Sequence, residues 1–272
     1  VLAAIATLIP PENESFIKDQ SISLIIVPEV LMELGLVSEQ NAPNFTFQRE
    51  DGRQFKAAIR PVPLQQSAQI RWVFALDEED SSLPVSLRKR RTADWYWYEY
   101  LDDTKTVYFH YGRCKEANNR PLGLFVEELL AFVESHPVEK FIFDIRNNGG
   151  GSSPLIEPLI FGLGKSKVNE KGRLFCIIGR KTFSSAVLNA IQLDRQTEAI
   201  FVGEPTKGRP NHYGQYEMIT LPHSKMRVQC STKYFQHSER DTLSFMPDVL
   251  VESSSKDYFA GRDLALEAAL AY

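Results

Sequence analysis

The chain has 272 residues, 43% of them apolar, and its 31 basic and 35 acidic side chains leave a formal charge of −4. That is enough apolar material for one large core or two modest ones, and the slight acidity supplies no general field for nucleic acid or an anionic membrane. No apolar run reaches the length of a membrane span, and three cysteines, Cys114, Cys176 and Cys230, do not make a disulfide framework.

Starting at Val1 without a Met or a basic leader, the sequence reads as a fragment or processed form. Its first 76 residues mix a short apolar helix (VLAAIATLIP), a second one after Pro28 (EVLMELGL) and two alternating runs, 44–48 and 54–60, joined through the hairpin signal Asp51-Gly52. So short a hairpin needs a larger sheet to pack on, so this region reads as part of a domain. Residues 77–94 follow as a charged linker, with DEED at 77–80 and RKRR at 88–91, and the mixed signs suit a solvated loop better than a polyanion site. From Trp95 onward strands and helices alternate. Residues 95–101 and 106–111 read as strands, and the next helix has the apolar face Leu122, Phe125, Val126, Leu129, Leu130 and Val133. A strand over 141–145, a helix beyond its glycine loop, a strand over 174–178, a helix over 184–193 and a strand over 199–202 complete a βαβαβ pattern. Strand-like runs at 215–221 and 226–230 and a closing helix from about Arg262 end the chain. The pattern predicts an α/β layer domain with a largely parallel sheet.

Three strand-to-helix junctions carry the polar residues of interest. In KFIFDIRNNGGGSSPLIEPLI, Gly149, Gly150 and Gly151 permit φ > 0 and Ser152, Ser153 and Pro154 resemble a helix start. Amides held at such a start suit either a phosphate or the oxyanion of an acyl-transfer intermediate. No Gly-Lys-Ser/Thr follows and no G-x-G-x-x-G pattern is completed, which counts against nucleotide fingerprints. In CIIGRKTFSSAVLNAIQL, Ser184 and Ser185 open an apolar helix, where a serine is either a cap or a nucleophile. In AIFVGEPTKGRPNHYG, Glu204, Thr206, Lys207, Arg209 and His212 share a Gly- and Pro-rich loop. Ligands bind outside the carboxyl ends of such strands, so the three junctions are expected to face one crevice.

Together the three segments resemble the C-terminal processing (tail-specific) serine peptidase family, which also includes the tricorn protease core and the repeats of interphotoreceptor retinoid-binding protein. DIRNNGGG matches D-x-R-x-N-x-G-G with Asp144, Arg146, Asn148, Gly150 and Gly151 in register. TFSSA stands where that family has its S-A-S-A-S-E nucleophile motif, FVGEPTKGR matches V-G-E-x-T-x-G-K except in its last residue, and FMPDVLV resembles the closing P-D-x-x-V segment. The resemblance implies a ClpP/crotonase-like layered α/β peptidase core over 95–272, preceded by a partial PDZ-like region over 1–76 and the linker over 77–94. It further implies Ser184 as nucleophile, an oxyanion hole from the amides of Gly150 and Ser185, peptide or protein substrates, no metal or organic cofactor, and an extracytoplasmic location. Asp241, seven residues before Asp248, falls where the tricorn-like branch places its acidic partner, with Glu239 as neighbour; a turn aspartate is the other reading.

The tail-specific branch ends its motif in a lysine base, where this chain has Arg209. A guanidinium stays protonated, so Arg209 is expected to pair with Glu204, Asp241 or a substrate carboxylate instead, and Lys207, two residues early, reads as a solvated loop lysine. Loss of the lysine points to the tricorn-like branch, whose histidine lies before the PDZ-like region and is expected upstream of Val1. Within the chain, His110 and His212 are the alternatives, while His136, His223 and His237 read as helix-end and surface residues. A non-catalytic module binding an apolar ligand or a peptide on the same fold is the competing reading.

Overall fold

The computed structural model describes residues 1–38, 43–49, 51–60, 86–91, 93–118 and 120–272. The acidic run at 77–80 thus lies outside the described residues. The chain divides into two units, Val1–Leu87 with Ser253–Asp263, and Arg88–Glu252 with Leu264–Tyr272.

The first unit contains helices α1 (Leu2–Ala6), α2 (Glu14–Leu24) and α3 (Pro28–Glu33) and the antiparallel hairpin β1 (Asn44–Gln48) and β2 (Gln54–Ala58). Ile5, Ile9 and Leu31 form its small core, against which Phe16, Ile17, Leu24 and Phe45 pack. The Asn13 side chain starts α2 by accepting from the Phe16 N–H at 2.8 Å.

The second unit holds β3 (Tyr96–Leu101), β4 (Thr106–Tyr111), α4 (Leu122–Ser135), β5 (Lys140–Asp144), α5 (Glu157–Lys165), β6 (Leu174–Ile178), α6 (Ser185–Gln196), β7 (Ile200–Gly203), β8 (His212–Thr220), β9 (Arg227–Phe235) and β10 (Val249–Leu250). The first unit's α7 (Ser255–Phe259) follows, and α8 (Leu264–Ala271) closes the chain. Six strands form one sheet in the order β10-β7-β6-β5-β4-β3, parallel throughout except that β3 runs antiparallel to β4. The strands β8 and β9 pair only with each other, as a separate ribbon.

Side chains alternate across each strand. Phe109, Tyr111, Phe141, Phe143, Leu174, Cys176 and Phe201 join the main core with Phe125 and Leu129 of α4, Leu159 and Leu163 of α5, and Ala186 and Ala190 of α6. The intervening Trp97, Tyr108, Ile142 and Phe175 are buried too, as expected of parallel strands covered on both faces.

That second face carries a charge. Asp144, 1% exposed, accepts from the Tyr108 hydroxyl at 2.6 Å, from Arg146 Nε at 2.9 and 3.0 Å and from the Arg146 N–H at 3.1 Å. Burial pushes its carboxyl up, but Arg146, assisted by Tyr108, brings it net below the usual carboxylate range. His110, opposite Asp144 in register, stacks on Trp97 at 5.5 Å. Burial lowers its pKa, only partly opposed by Asp144.

Gly203 ends β7 at φ +121°, and a Cβ there would lie 2.2 Å from the Ile178 carbonyl oxygen of β6. Gly123, in the first turn of α4, has no atom within 4 Å of such a Cβ. Gly203→Ala is therefore expected to destabilise the fold by about 2 kcal/mol or more, and Gly123→Ala to stabilise it by about 0.5 kcal/mol, both read by urea denaturation. His110 sets a pH dependence. Its folded pKa lies below 6.5, so the unfolded chain binds the proton first and stability falls as pH drops through that value. The Asp144 contribution, with its pKa lowered from 3.8, is fully present over the same window and is lost only at lower pH. Denaturation midpoints taken from pH 8 to 5 should decline less steeply in His110→Gln than in the unaltered chain; equal slopes would remove this role from His110.

Candidate active site

The loops after β5, β6 and β7 meet at one residue, Ser184. A Cβ on Gly150 would lie 2.8 Å from Ser184 Cβ, 2.9 Å from the Phe183 carbonyl oxygen and 3.1 Å from the Ser185 nitrogen. On Gly208 of the third loop it would lie 3.3 Å from the Ser184 nitrogen and 2.9 Å from Val187 Cγ2. Both glycines are thus required by close approach, and the expected convergence of the junctions is present in the geometry.

Thr182, fully buried, ties these loops together. Its hydroxyl donates to the Ile145 carbonyl at 3.0 Å and accepts from the Gly179 N–H at 3.0 Å, while its carbonyl accepts from the N–H groups of Lys207 (3.0 Å) and Gly208 (3.2 Å). The next N–H, of Phe183, donates to the Asn148 carbonyl at 3.0 Å. Ser184 then occupies the cap position of α6 at φ 51°, ψ −126°, a conformation sparsely populated by non-glycine residues, and its side chain makes no capping bond. Half-buried, its hydroxyl has no hydrogen-bond partner among the described residues. The Ser185 hydroxyl is engaged, donating to the Gly151 carbonyl at 2.7 Å, but the Ser185 N–H, an orphan of the helix start, has no acceptor among the described residues.

The glycine loop is fixed by residues that its motif does not advertise. Asn148, with no exposed surface, donates through Nδ2 to the Tyr111 carbonyl and accepts through Oδ1 from the Gly150 N–H, both at 2.9 Å. The Gly150 amide, expected to face an oxyanion, is thereby committed to Asn148. Cys114 forms a parallel bridge with Gly151, its N–H donating to the Gly150 carbonyl (3.1 Å) and its carbonyl accepting from Ser152 (2.8 Å). In such a bridge the central residue turns its own N–H and C=O away from the partner. The Gly151 carbonyl accordingly reaches Ser185, and the Gly151 N–H on the same side has no acceptor among the described residues. Burial pushes the Cys114 thiol up to about 11, so it sits neutral, with Sγ at 3.4 Å from the carboxamide oxygens of Asn148 and Asn189, to either of which it can donate. Asn189 Nδ2 donates to the Ser153 carbonyl at 2.9 Å.

The remaining polar residues of the third loop are engaged with other groups. Arg209 pairs with Asp241 at 3.1 Å, one of the partners expected, whereas Glu204 is taken by Arg180. His212 is tied through Nδ1 to the Arg209 carbonyl at 2.9 Å, with its ring stacked on Phe235. Lys207 places Nζ over the Phe183 ring at 5.4 Å. Among the described residues no histidine, lysine or carboxylate bonds to Ser184, no group of three His, Cys, Asp or Glu is placed to hold a metal ion, and no helix is long and apolar enough to cross a membrane.

No family model matches the chain, and no curated protein matches it. Among solved structures, mature CPAF complexed with lactacystin is similar at TM-score 0.58 and 12% identity, over 99% of this chain and 74% of that one. A candidate peptidase from Parabacteroides merdae ATCC 43184 (TM-score 0.46, 19% identity, 65% of this chain) and a candidate S41 protease from Bacteroides fragilis NCTC 9343 (0.43, 13%, 84%) are also similar; this chain spans 64% of the length of each. At 12% identity the likeness to mature CPAF is one of fold alone: an α/β core with a parallel-rich central sheet.

Proposed function

We propose that this chain is a serine-type peptidase that hydrolyses peptide bonds through an acyl-enzyme on Ser184. The observation that carries the reading is Ser184 itself, held at φ 51° at the cap of α6 beside the glycine loop, with a hydroxyl that has no partner among the described residues. In this reading Ser184 Oγ attacks the peptide carbonyl and the bond to the leaving amine breaks, after which water releases the acyl group. The negative oxygen formed in each step is met by the Ser185 N–H, at the positive end of a twelve-residue helix, and by the glycine loop. The Gly151 N–H is free for that task, and the Gly150 N–H joins it on leaving Asn148.

A serine hydroxyl needs a base. The proposed base is a histidine upstream of Val1, as in the tricorn-like branch that the motifs resemble. Asp241, 64% exposed and held by Arg209 one residue beyond Gly208, is the proposed carboxylate to orient it. His212 and His110 are poorly suited to the role, the first by its bond to Arg209, the second by its burial against Trp97. Fold likeness to mature CPAF complexed with lactacystin supports the reading. The competing non-catalytic binding module is favoured by one observation, that nothing described is in place to deprotonate Ser184.

A fluorophosphonate probe separates the two. The full-length protein should be labelled at Ser184 and not in Ser184→Ala, and the 272-residue chain alone about a hundredfold more slowly, as befits loss of a general base. Equal, Ser184-dependent labelling of both would place the base within the chain and make His212 and His110 the residues to mutate; no labelling of either favours the binding module. Arg209→Lys gives a second check. Because Arg209 pairs with Asp241, the change is expected to leave the 272-residue chain as slow as before, and a gain of tenfold or more, on the order of a new general base, would restore the lysine-dependent branch.

A further inference from the structure

The segment after β4 has two sides. Through Cys114 it is bridged to Gly151 of the glycine loop. Through Ala117 and Arg120 it meets β3, where the Tyr96 hydroxyl accepts from the Ala117 N–H at 3.1 Å and donates to the Arg120 carbonyl. On that far side lies a cavity of about 420 Å3, walled by Trp95, Tyr96 and Trp97 of the β3 end, by Ala117, Asn118 and Arg120, and by Arg91 and Asp94. It is large enough for a side chain with its flanking backbone.

The polar groups at this cavity are short of acceptors. Arg90 pairs with Glu99 at 2.7 Å and Arg120 with Glu128 at 2.6 Å. The Arg91 guanidinium instead lies over the Trp97 ring at 5.5 Å, with no carboxylate partner among the described residues. Lys115 likewise sits over Trp95 at 4.9 Å and pairs with no acid among the described residues. Trp97 is 2% exposed, yet its indole N–H has no acceptor among the described residues. A buried indole N–H beside an exposed guanidinium that has no carboxylate among the described residues suits an anionic acceptor. Asp94 is the one acidic side chain among the described residues of the lining, and against it stand Arg91 and the already neutralised Arg120.

We propose that this cavity binds a carboxylate carried by a peptide, with Arg91 and the Trp97 N–H as its donors. Ala117 is three residues from Cys114, so the wall of the cavity is within about 10 Å of the Gly151 bridge, the reach of roughly three extended residues. As a subsite it therefore selects an acidic residue about three positions from the bond cut at Ser184. That placement rests on the peptidase reading; binding of the carboxylate does not.

The test uses the chain with Ser184→Ala, so that no peptide is consumed, and fluorescein-labelled decapeptides carrying one Glu or one Gln at a matched position, each with a free or an amidated C-terminus. Fluorescence anisotropy should show the Glu peptides binding roughly tenfold more tightly than the Gln peptides, the scale of one charge-assisted hydrogen bond. The preference should disappear in Arg91→Gln, an exposed position where folding is not at stake, and shrink in Trp97→Phe. If amidation alone removes the tight binding, the carboxylate recognised is the chain terminus; if it has no effect, it is the Glu side chain. Equal binding of Glu and Gln peptides whose C-termini are amidated and free alike, no binding of any, or a Glu preference that survives Arg91→Gln overturns the proposal. Fluorophosphonate labelling of Ser184 in the unaltered protein is read separately, so a carboxylate preference without labelling would sink the peptidase reading and leave the cavity assignment standing.

Discussion

Two buried side chains, Asn148 and Thr182, hold three loops against one another at separations that only glycine allows. Thr182 joins the ends of β5 and β6 to the loop after β7, and Asn148 joins the glycine loop to β4 and to Phe183. What they stabilise is the backbone of Ser184, whose positive φ costs about 1–3 kcal/mol for a residue with a side chain. Hydrogen bonds of this kind are each worth about 1 kcal/mol net, more when a buried group would otherwise be left unpaired, so several of them offset the strain. The strain has a geometric product: a serine whose hydroxyl neither caps its helix nor bonds to any described neighbour.

The charge under the site follows the same logic. Asp144 is buried to 1% exposure and its cost is met by the Arg146 fork and the Tyr108 hydroxyl, a geometry that fixes the direction in which the chain leaves β5. Arg146 in turn lies against Gly179, where a Cβ would come within 3.2 Å of Arg146 Cβ. The spacing of Asp144 and Arg146 therefore sets the loop after β6 as well as the loop that contains it. Cys114 completes the frame from the β4 side, as a neutral thiol and a strand-like backbone.

Much of this was legible in the sequence because it is local. The β5 run, its three glycines, the two serines opening α6 and the alternation of strand and helix all express periodicity or backbone permission within a few residues. Arg209 with Asp241 was legible as one of three pairings, from charge alone. Helix α2 escaped notice because two of its inward positions are serines, Ser15 and Ser21, which break the apolar stripe. The run at β9 extends to Phe235 instead of ending near Cys230, since a ribbon exposed on both faces has no burial pattern to mark its end. Strand β10 is two residues long, too short to carry a period. The identity of the free amide in the glycine loop was hidden for a different reason. Gly150 and Gly151 are equivalent in the motif, and only a side-chain oxygen at Asn148 and a bridge to Cys114, 37 residues earlier than Gly151, distinguish them.

The absence of a base beside Ser184 among the described residues also has a physical side. A buried histidine such as His110 has its pKa lowered by desolvation, which makes it a weaker proton acceptor, and its place against Trp97 is stable because it stays neutral. A catalytic histidine must instead carry charge transiently, beside a carboxylate and near solvent. Asp241 meets the second condition by its exposure, and Arg209 holds it through one oxygen, Oδ2, at 3.1 Å. On the proposed reading the nucleophile, the amide donors and the carboxylate all belong to one unit, and the proton acceptor is left to a segment upstream of Val1.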